Sequence, residues 1–498
     1  MTCSIETSDP TDRQRIATLR SFCQGTPPLD AVLEPWMVEL LSDRRPELDA
    51  ACERFGSPLN VISAEPMVRN IEQLNRVADE RDFRFQVYFA RKANKCLAFV
   101  DAANQIGAGI DVASEAECQQ AIERGVRSAD ILCTAAIKPR SLIRLCLQNR
   151  VPIAIDNIDE LRCVEVVAAE LAIEAEVAIR ISGFEHEGEK LFSRFGFDID
   201  EVGHLLRQIP DPSDEASVRV CGIHFHLDGY SAAQRIGAIR QSLPLIDRFR
   251  SLGHDVRFLD IGGGLPMCYL ESESQWEAFH AAHRSALLGE RKPITFKNDG
   301  LGFLNVDGKL HGHRNTYPYY QSPTAAAWLA GVLDAEFEPG ETLAAAIRQR
   351  QLQLRCEPGR SVLNGCGITV ARVEFVKRHP SGDSFVGVAM NRTQCRTGSD
   401  DFLVDPLVLQ TNESANLDRN EALAGYLVGA YCTESELISL RRFRFPHGLA
   451  AGDLVVLPNT AGYFMHFLES RSHQFPLATN VVVDRNGEEL FRVDAIDS

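Results

Sequence analysis

Lys92 stands in the stretch FARKAN (89–94), where an apolar β-type run gives way to a helical pattern. A lysine in that position can form a Schiff base with an aldehyde. Gly262, Gly263 and Gly264 are consecutive and precede a helical stretch, so their backbone N–H groups, unobstructed by Cβ atoms, suit an anion. Met267 breaks the GxGxxG spacing, which disfavours a dinucleotide site. Arg360, in EPGR (357–360), adds a planar charged fork suited to phosphate. An aldehyde with a phosphate handle points to pyridoxal 5′-phosphate. Glu357 then has a use, because a carboxylate beside the pyridine nitrogen keeps it protonated and strengthens the ring as an electron sink.

These residues need a frame that brings them to one place. Eight apolar runs, at 84–90, 109–114, 131–135, 152–156, 176–182, 219–227, 256–262 and 352–358, alternate with amphipathic helical patterns. Near-continuous apolar strands separated by helices predict a parallel sheet covered on its outside, and eight units predict a closed (β/α)8 barrel. Barrel enzymes place chemistry at the C-terminal ends of their strands. Lys92, Asp111, His226, the three glycines, Glu357 and Arg360 all fall there. Each alone has an ordinary explanation as a cap, a core histidine or a tight turn; together, in barrel register, they make a site. After residue 368 strand-like pieces follow one another without helices, and Asn486-Gly487 is a hairpin-turn signal. The expected organisation is an α/β barrel over 64–368 with an insertion at about 290–345, a mostly β domain over 369–498, and an N-terminal segment, 1–63, packing with the β domain.

Composition narrows the function. The chain has 498 residues, 45% of them hydrophobic, and a net charge of −17, with no basic cluster to neutralise nucleic-acid phosphates. A small-molecule substrate is the better default. The 14 cysteines include no CxxC pair, which fits reduced thiols in the cytoplasm. The first twenty residues carry charge where a leader needs an apolar core, and no run of about 18 apolar residues follows to cross a membrane. The HxH pairs His224/His226 and His311/His313 lack a third ligand in the sequence pattern, so no metal is expected.

The motifs, taken together, resemble the pyridoxal-phosphate-dependent decarboxylases of the alanine-racemase fold, which include diaminopimelate, ornithine and biosynthetic arginine decarboxylases. FARKAN is similar to the family's YAVKAN, GAGIDVAS to GxGxDVxS, GIHFHLDG to GxHxHIGS, LDIGGGLP to its triple-glycine loop, EPGR to EPGR, GAYCTESE to GPxCESxD and TAGYF to GAY. The resemblance runs from about residue 50 to about residue 468 in matching order. It implies that Lys92 carries the cofactor as a Schiff base, His226 stacks on the ring, and Glu357 pairs with the pyridine nitrogen. Gly262, Gly263, Gly264, Arg360 and Tyr463 would hold the phosphate. It also implies a homodimer with shared sites, in which Cys432 of the neighbouring subunit acts near the substrate α-carbon and reprotonates it after CO2 leaves.

Departures from the pattern bear on the substrate. Gly229 replaces the family's phosphate-binding serine, Asp405 in VDPLVL replaces the arginine that helps hold diaminopimelate, and Thr433 replaces an acid after the cysteine. These disfavour diaminopimelate. Glu434 and Glu436 could receive a distal ammonium, which makes a basic or diamino acid such as lysine or ornithine the candidate substrate. A racemase of the same fold is disfavoured by Glu357, since an arginine at the pyridine nitrogen would suit it better. A catalytically dead relative is disfavoured by retention of Lys92, Glu357, Arg360, Cys432 and Tyr463. About 90 residues separate the glycine loop from EPGR, an excess that reads either as a surface excursion or as a lid over the catalytic face.

Overall fold

The computed structural model describes residues 10–209, 218–397, 402–410, 421–485 and 487–498. Asn486 of the expected hairpin turn, and the first nine residues on which the leader reading partly rests, lie outside these.

All eight expected barrel strands form. In chain order they are β1 (Phe85–Ala90), β2 (Gly109–Val112), β3 (Ile131–Cys133), β4 (Ile153–Ile155), β5 (Ala175–Ser182), β6 (Val218–His224), β7 (Phe258–Asp260) and β8 (Gln353–Cys356). Each pairs in parallel with the next, and β8 pairs with β1 to close the ring. The strands read as continuous apolar runs because both faces are buried, one in the lumen and one under helices. Inside the lumen, Ala154 and Ala178 leave room for the ring of Phe258, and Gly222 is required beside it, since a Cβ there would sit 2.2 Å from that ring.

The second unit is mostly β, as expected. Its long strand Gly367–Arg378 pairs antiparallel with Ser384–Val388 and Leu454–Pro458. Leu59–Ile62, from before the barrel, lies between Gly367–Val370 and Thr479–Val482 in the same sheet. The strand Leu423–Val428 ends before the GAYCTESE stretch. Gly429 there packs so closely that a Cβ would meet Glu436 Oε1 at 2.2 Å and the Met390 carbonyl at 2.8 Å, so the chain leaves the sheet and Cys432 falls on a loop. No helix among the described residues is long and apolar enough to cross a membrane.

A buried ion pair fastens the N-terminal segment to this sheet. Asp405 and Arg441 are both buried and bonded to each other. Asp405 also accepts from the Gly25 N–H at 2.8 Å and donates its own N–H to the Leu29 carbonyl at 2.9 Å, while Arg441 donates to the Pro27 and Leu403 carbonyls. Asp405 therefore holds the framework. Asp405→Ala would leave a guanidinium buried without its counter-ion, and a loss of about 3–5 kcal/mol is expected in urea titration. Asp405→Ala combined with Arg441→Met should recover a large part of it.

Candidate active site

Lys92 sits in the single 3-10 turn Arg91–Ala93 that follows β1. Its Nζ donates to Asp111 Oδ2, on β2, at 3.0 Å. Asp111 is fully buried and its other oxygen accepts from the Thr134 hydroxyl. Burial works against the lysine's charge, but Asp111, Tyr463 and Glu357 outweigh it and hold the ammonium above its usual range. Burial and the charge of Glu357 push Asp111 upward, against the pull of Lys92 and Thr134.

Glu357 follows β8 and is buried. Its N–H donates to the Gly262 carbonyl at 2.9 Å, and its Oε1 lies 3.2 Å from His224 Nε2. Burial raises its carboxyl, while Lys92, Arg180 and Arg235 oppose the rise. His224 and His226 are both held well below the usual imidazole range, chiefly by burial and then by neighbouring cations. A neutral His226 whose Nδ1 accepts from the Gly263 N–H at 3.2 Å carries its proton on Nε2. His224, Asp260 and Glu357 bring three ligand atoms within 4.8 Å of one another. Those groups already serve the loop and the strand end: Asp260 Oδ1 accepts from Gly262 N–H at 2.8 Å, and Glu357 faces His224.

The glycine loop is shaped by close approach. Gly262 and Gly264 have φ of 67° and 78°, and a Cβ on Gly263 or Gly264 would lie 2.7 Å from the carbonyl of Glu357 or Gly229. Two of the three amides are used within the protein, by Asp260 and His226; the Gly264 N–H donates to no group among the described residues. From behind, the buried Arg235 donates to the carbonyls of Ile261 and Gly263. Arg360 lies across the cavity, where its Nη1 donates to Tyr269 Oη at 2.8 Å and to the Gly462 carbonyl at 3.2 Å. Its guanidinium is packed among the rings of Tyr317, Tyr463 and Phe464, at 4.3, 5.0 and 5.1 Å.

Lys92, His226, Tyr230, Gly263, Gly264, Glu357, Arg360 and Tyr463 line one cavity of about 180 Å³ at the mouth of the barrel. Cys432, Glu434 and Glu436 are not in its lining. Cys432 and Glu434 are exposed, and Glu436 is buried with its Oε1 accepting the Arg392 N–H at 2.8 Å. His311 and His313 lie on or beside an exposed hairpin, Phe303–Val306 with Lys309–Gly312, and are not in the cavity lining. Part of the insertion is thus a surface excursion, while Tyr317 from the same segment packs against Arg360 at the site.

Sequence reasoning did not single out Arg180, Arg235, Asp260, Tyr230, Tyr269 or Tyr317. Arg180 on β5, 3.4 Å from Asp156, was detectable as a charge inside an apolar strand. Arg235 reads as an ordinary helix arginine, and the tyrosines as hydrophobic filling.

Comparison with known proteins gives the site a context. Residues 67–292 match the family model described as the pyridoxal-binding domain of pyridoxal-dependent decarboxylases. The uncharacterised protein y4yA of Sinorhizobium fredii is 31% identical over 467 residues, 93% of this chain and 95% of that one. Diaminopimelate decarboxylase of Pseudomonas aeruginosa is 25% identical, covering 90% and 92% of the two chains. Among solved structures, diaminopimelate decarboxylase from Helicobacter pylori complexed with L-lysine aligns with a TM-score of 0.65 at 17% identity, over 90% of this chain and 97% of that chain. Lysine decarboxylase from Selenomonas ruminantium aligns with a TM-score of 0.63 at 19% identity, over 89% and 97%.

The residues present fit pyridoxal phosphate. An amine, a buried carboxylate, an imidazole, a guanidinium and a glycine cradle that a Cβ would fill face one cavity. Gly264→Ala should therefore weaken cofactor retention, read as loss of visible absorbance after gel filtration. Gly289→Ala is the control, because Gly289 has the same φ of 78° with nothing within 4 Å of its would-be Cβ. It should cost about 1 kcal/mol of stability and keep the colour.

Proposed function

This chain belongs to the family of pyridoxal-phosphate-dependent decarboxylases of the alanine-racemase fold, and on that premise we propose that it removes the α-carboxylate of a basic or diamino acid as CO2. The observation that carries the reading is the facing of Lys92 and Glu357 across one cavity. Lys92 would hold the cofactor through its amine, His226 would lie against the ring, and Glu357 would meet the pyridine nitrogen. Gly264, Arg360 and Tyr463 would meet the phosphate, with Gly262 and Gly263 shaping the loop. When bound, pyridoxal phosphate supplies an electron sink for the pair left as CO2 departs.

The chain's own groups prepare that chemistry. Asp111 orients Lys92 Nζ through the hydrogen bond between them. Glu357, whose upward shift by burial is opposed by Lys92, Arg180 and Arg235, can pair with a protonated ring nitrogen in front of it. Cys432 would donate the proton to the substrate α-carbon across a homodimer interface; its exposure and its absence from the cavity of its own chain support a contribution to the partner's site. Glu434 is the better candidate for a distal ammonium, since Glu436 is engaged by Arg392. Burial of Asp405 with Arg441 supports a substrate other than diaminopimelate.

Release of CO2 from L- and D-amino acids, with the matching amine as product, tests the function directly. Turnover of lysine, ornithine or a close diamino acid is expected from the coloured protein, and silence across such a panel would overturn the proposal. Lys92→Ala should abolish turnover, and borohydride should fix the cofactor only on the wild-type peptide containing Lys92. Fixation at Lys95 or Lys138 would overturn the assignment.

The shared site has its own test. Lys92→Ala and Cys432→Ala should each be severely impaired alone. Mixed under subunit exchange, they should regain up to about a quarter of wild-type activity, because half of the dimers are mixed and each mixed dimer has one intact site. Persistent inactivity, with exchange shown by mass tagging, would count against Cys432 as the contributed residue.

A further inference from the structure

The loop after β6 has lost a hydroxyl at Gly229, and its backbone shows why no serine stands there. Gly229 has φ of 100°, a conformation that L side chains rarely adopt, and its carbonyl closes on Gly264. The next residue, Tyr230, lines the same cavity as Gly264 and Arg360. Its backbone is fixed, because Trp328 Nε1 donates to its carbonyl at 3.1 Å and Ser231 caps the helix that follows.

Its ring is braced from the insertion. Gln321 Nε2 donates to the Met267 carbonyl at 3.1 Å, which fixes the amide, and to Tyr317 Oη at 3.0 Å. Tyr317 is buried, and its ring meets the Tyr230 ring edge to face at 5.5 Å while lying 4.3 Å from the Arg360 guanidinium. Tyr230 is thereby held against the cavity that it lines with Gly264 and Arg360.

We infer that Tyr230 is a phosphate-binding residue of the cofactor site, braced by Tyr317 and Gln321 of the insertion. The inference rests on the cofactor reading above and assigns the missing hydroxyl to a residue one position further along the chain.

The test uses the dimer stripped of cofactor and titrated separately with pyridoxal phosphate and with pyridoxal, which lacks the phosphate. Affinity is read from absorbance. Tyr230→Phe should weaken pyridoxal phosphate by about tenfold or more while pyridoxal binds as in wild type. Tyr317→Phe keeps the ring under Arg360 and removes only the hydroxyl. It should give a smaller loss of the same phosphate-specific kind, absent when added to Tyr230→Phe. Equal weakening of both ligands, or no change in either, would overturn the role of Tyr230. Additive effects of the two substitutions would overturn the bracing by Tyr317. Failure of the wild-type protein to bind pyridoxal phosphate at all would overturn both this inference and the reading beneath it.

Discussion

The Glu357 carboxylate is held out of water at the end of β8, and much of the barrel mouth is arranged around it. A carboxylate in that position tends to take up a proton, because burial penalises its charged form. Three cations from three different elements resist this: Lys92 after β1, Arg180 on β5 and Arg235 in the helix after β6. None of these elements neighbours all the others, so the balance exists only when the barrel is closed and in register. A slip of one residue in β5 would turn Arg180 to the opposite face. Asp111 adds a second negative charge, and its ion pair with Lys92 divides the lysine's field between two carboxylates.

The glycine loop depends on the same closure. Its path is fixed from the front by Glu357, whose amide holds the Gly262 carbonyl, and from behind by Arg235. The cation that steadies the carboxylate is also the donor that shapes the loop, so charge and backbone geometry are not independent here. Arg360 obeys a different logic. Its charge is framed by aromatic faces and one phenol, which restrict its motion while leaving it at the cavity wall.

The frame was legible in the sequence because a parallel barrel buries both faces of every strand, and each of the eight runs from "RFQVYFA" to "LQLRCEP" is mostly apolar. Lys92, Asp111, His226, Glu357 and Arg360 were legible because charged or titratable residues interrupt apolar runs at one end. What escaped reading was the support behind them. Arg235 lies in a long amphipathic helix where an arginine is ordinary, and nothing local marks it as buried against two carbonyls. Tyr269 and Tyr317 meet Arg360 only through folding of a segment some ninety residues long, so their spacing carries no period to detect. Asp405 was visible as a departure, but its partner, Arg441, could be found only in three dimensions.

Leu59–Ile62 sits between two strands that come from the far end of the chain. During synthesis this strand leaves the ribosome before the barrel, yet its antiparallel partner emerges about three hundred residues later and its parallel partner later still. The barrel can collapse as it appears, whereas the strand must wait with both backbone edges open, the kind of surface on which nascent chains aggregate. Messages truncated before the last strands would produce a barrel with an unsatisfied edge attached, and quality control would meet it as a sticky, half-finished protein. The topology that ties Leu59–Ile62 to Gly367–Val370 and Thr479–Val482 therefore makes synthesis of those late strands a condition for covering its edges.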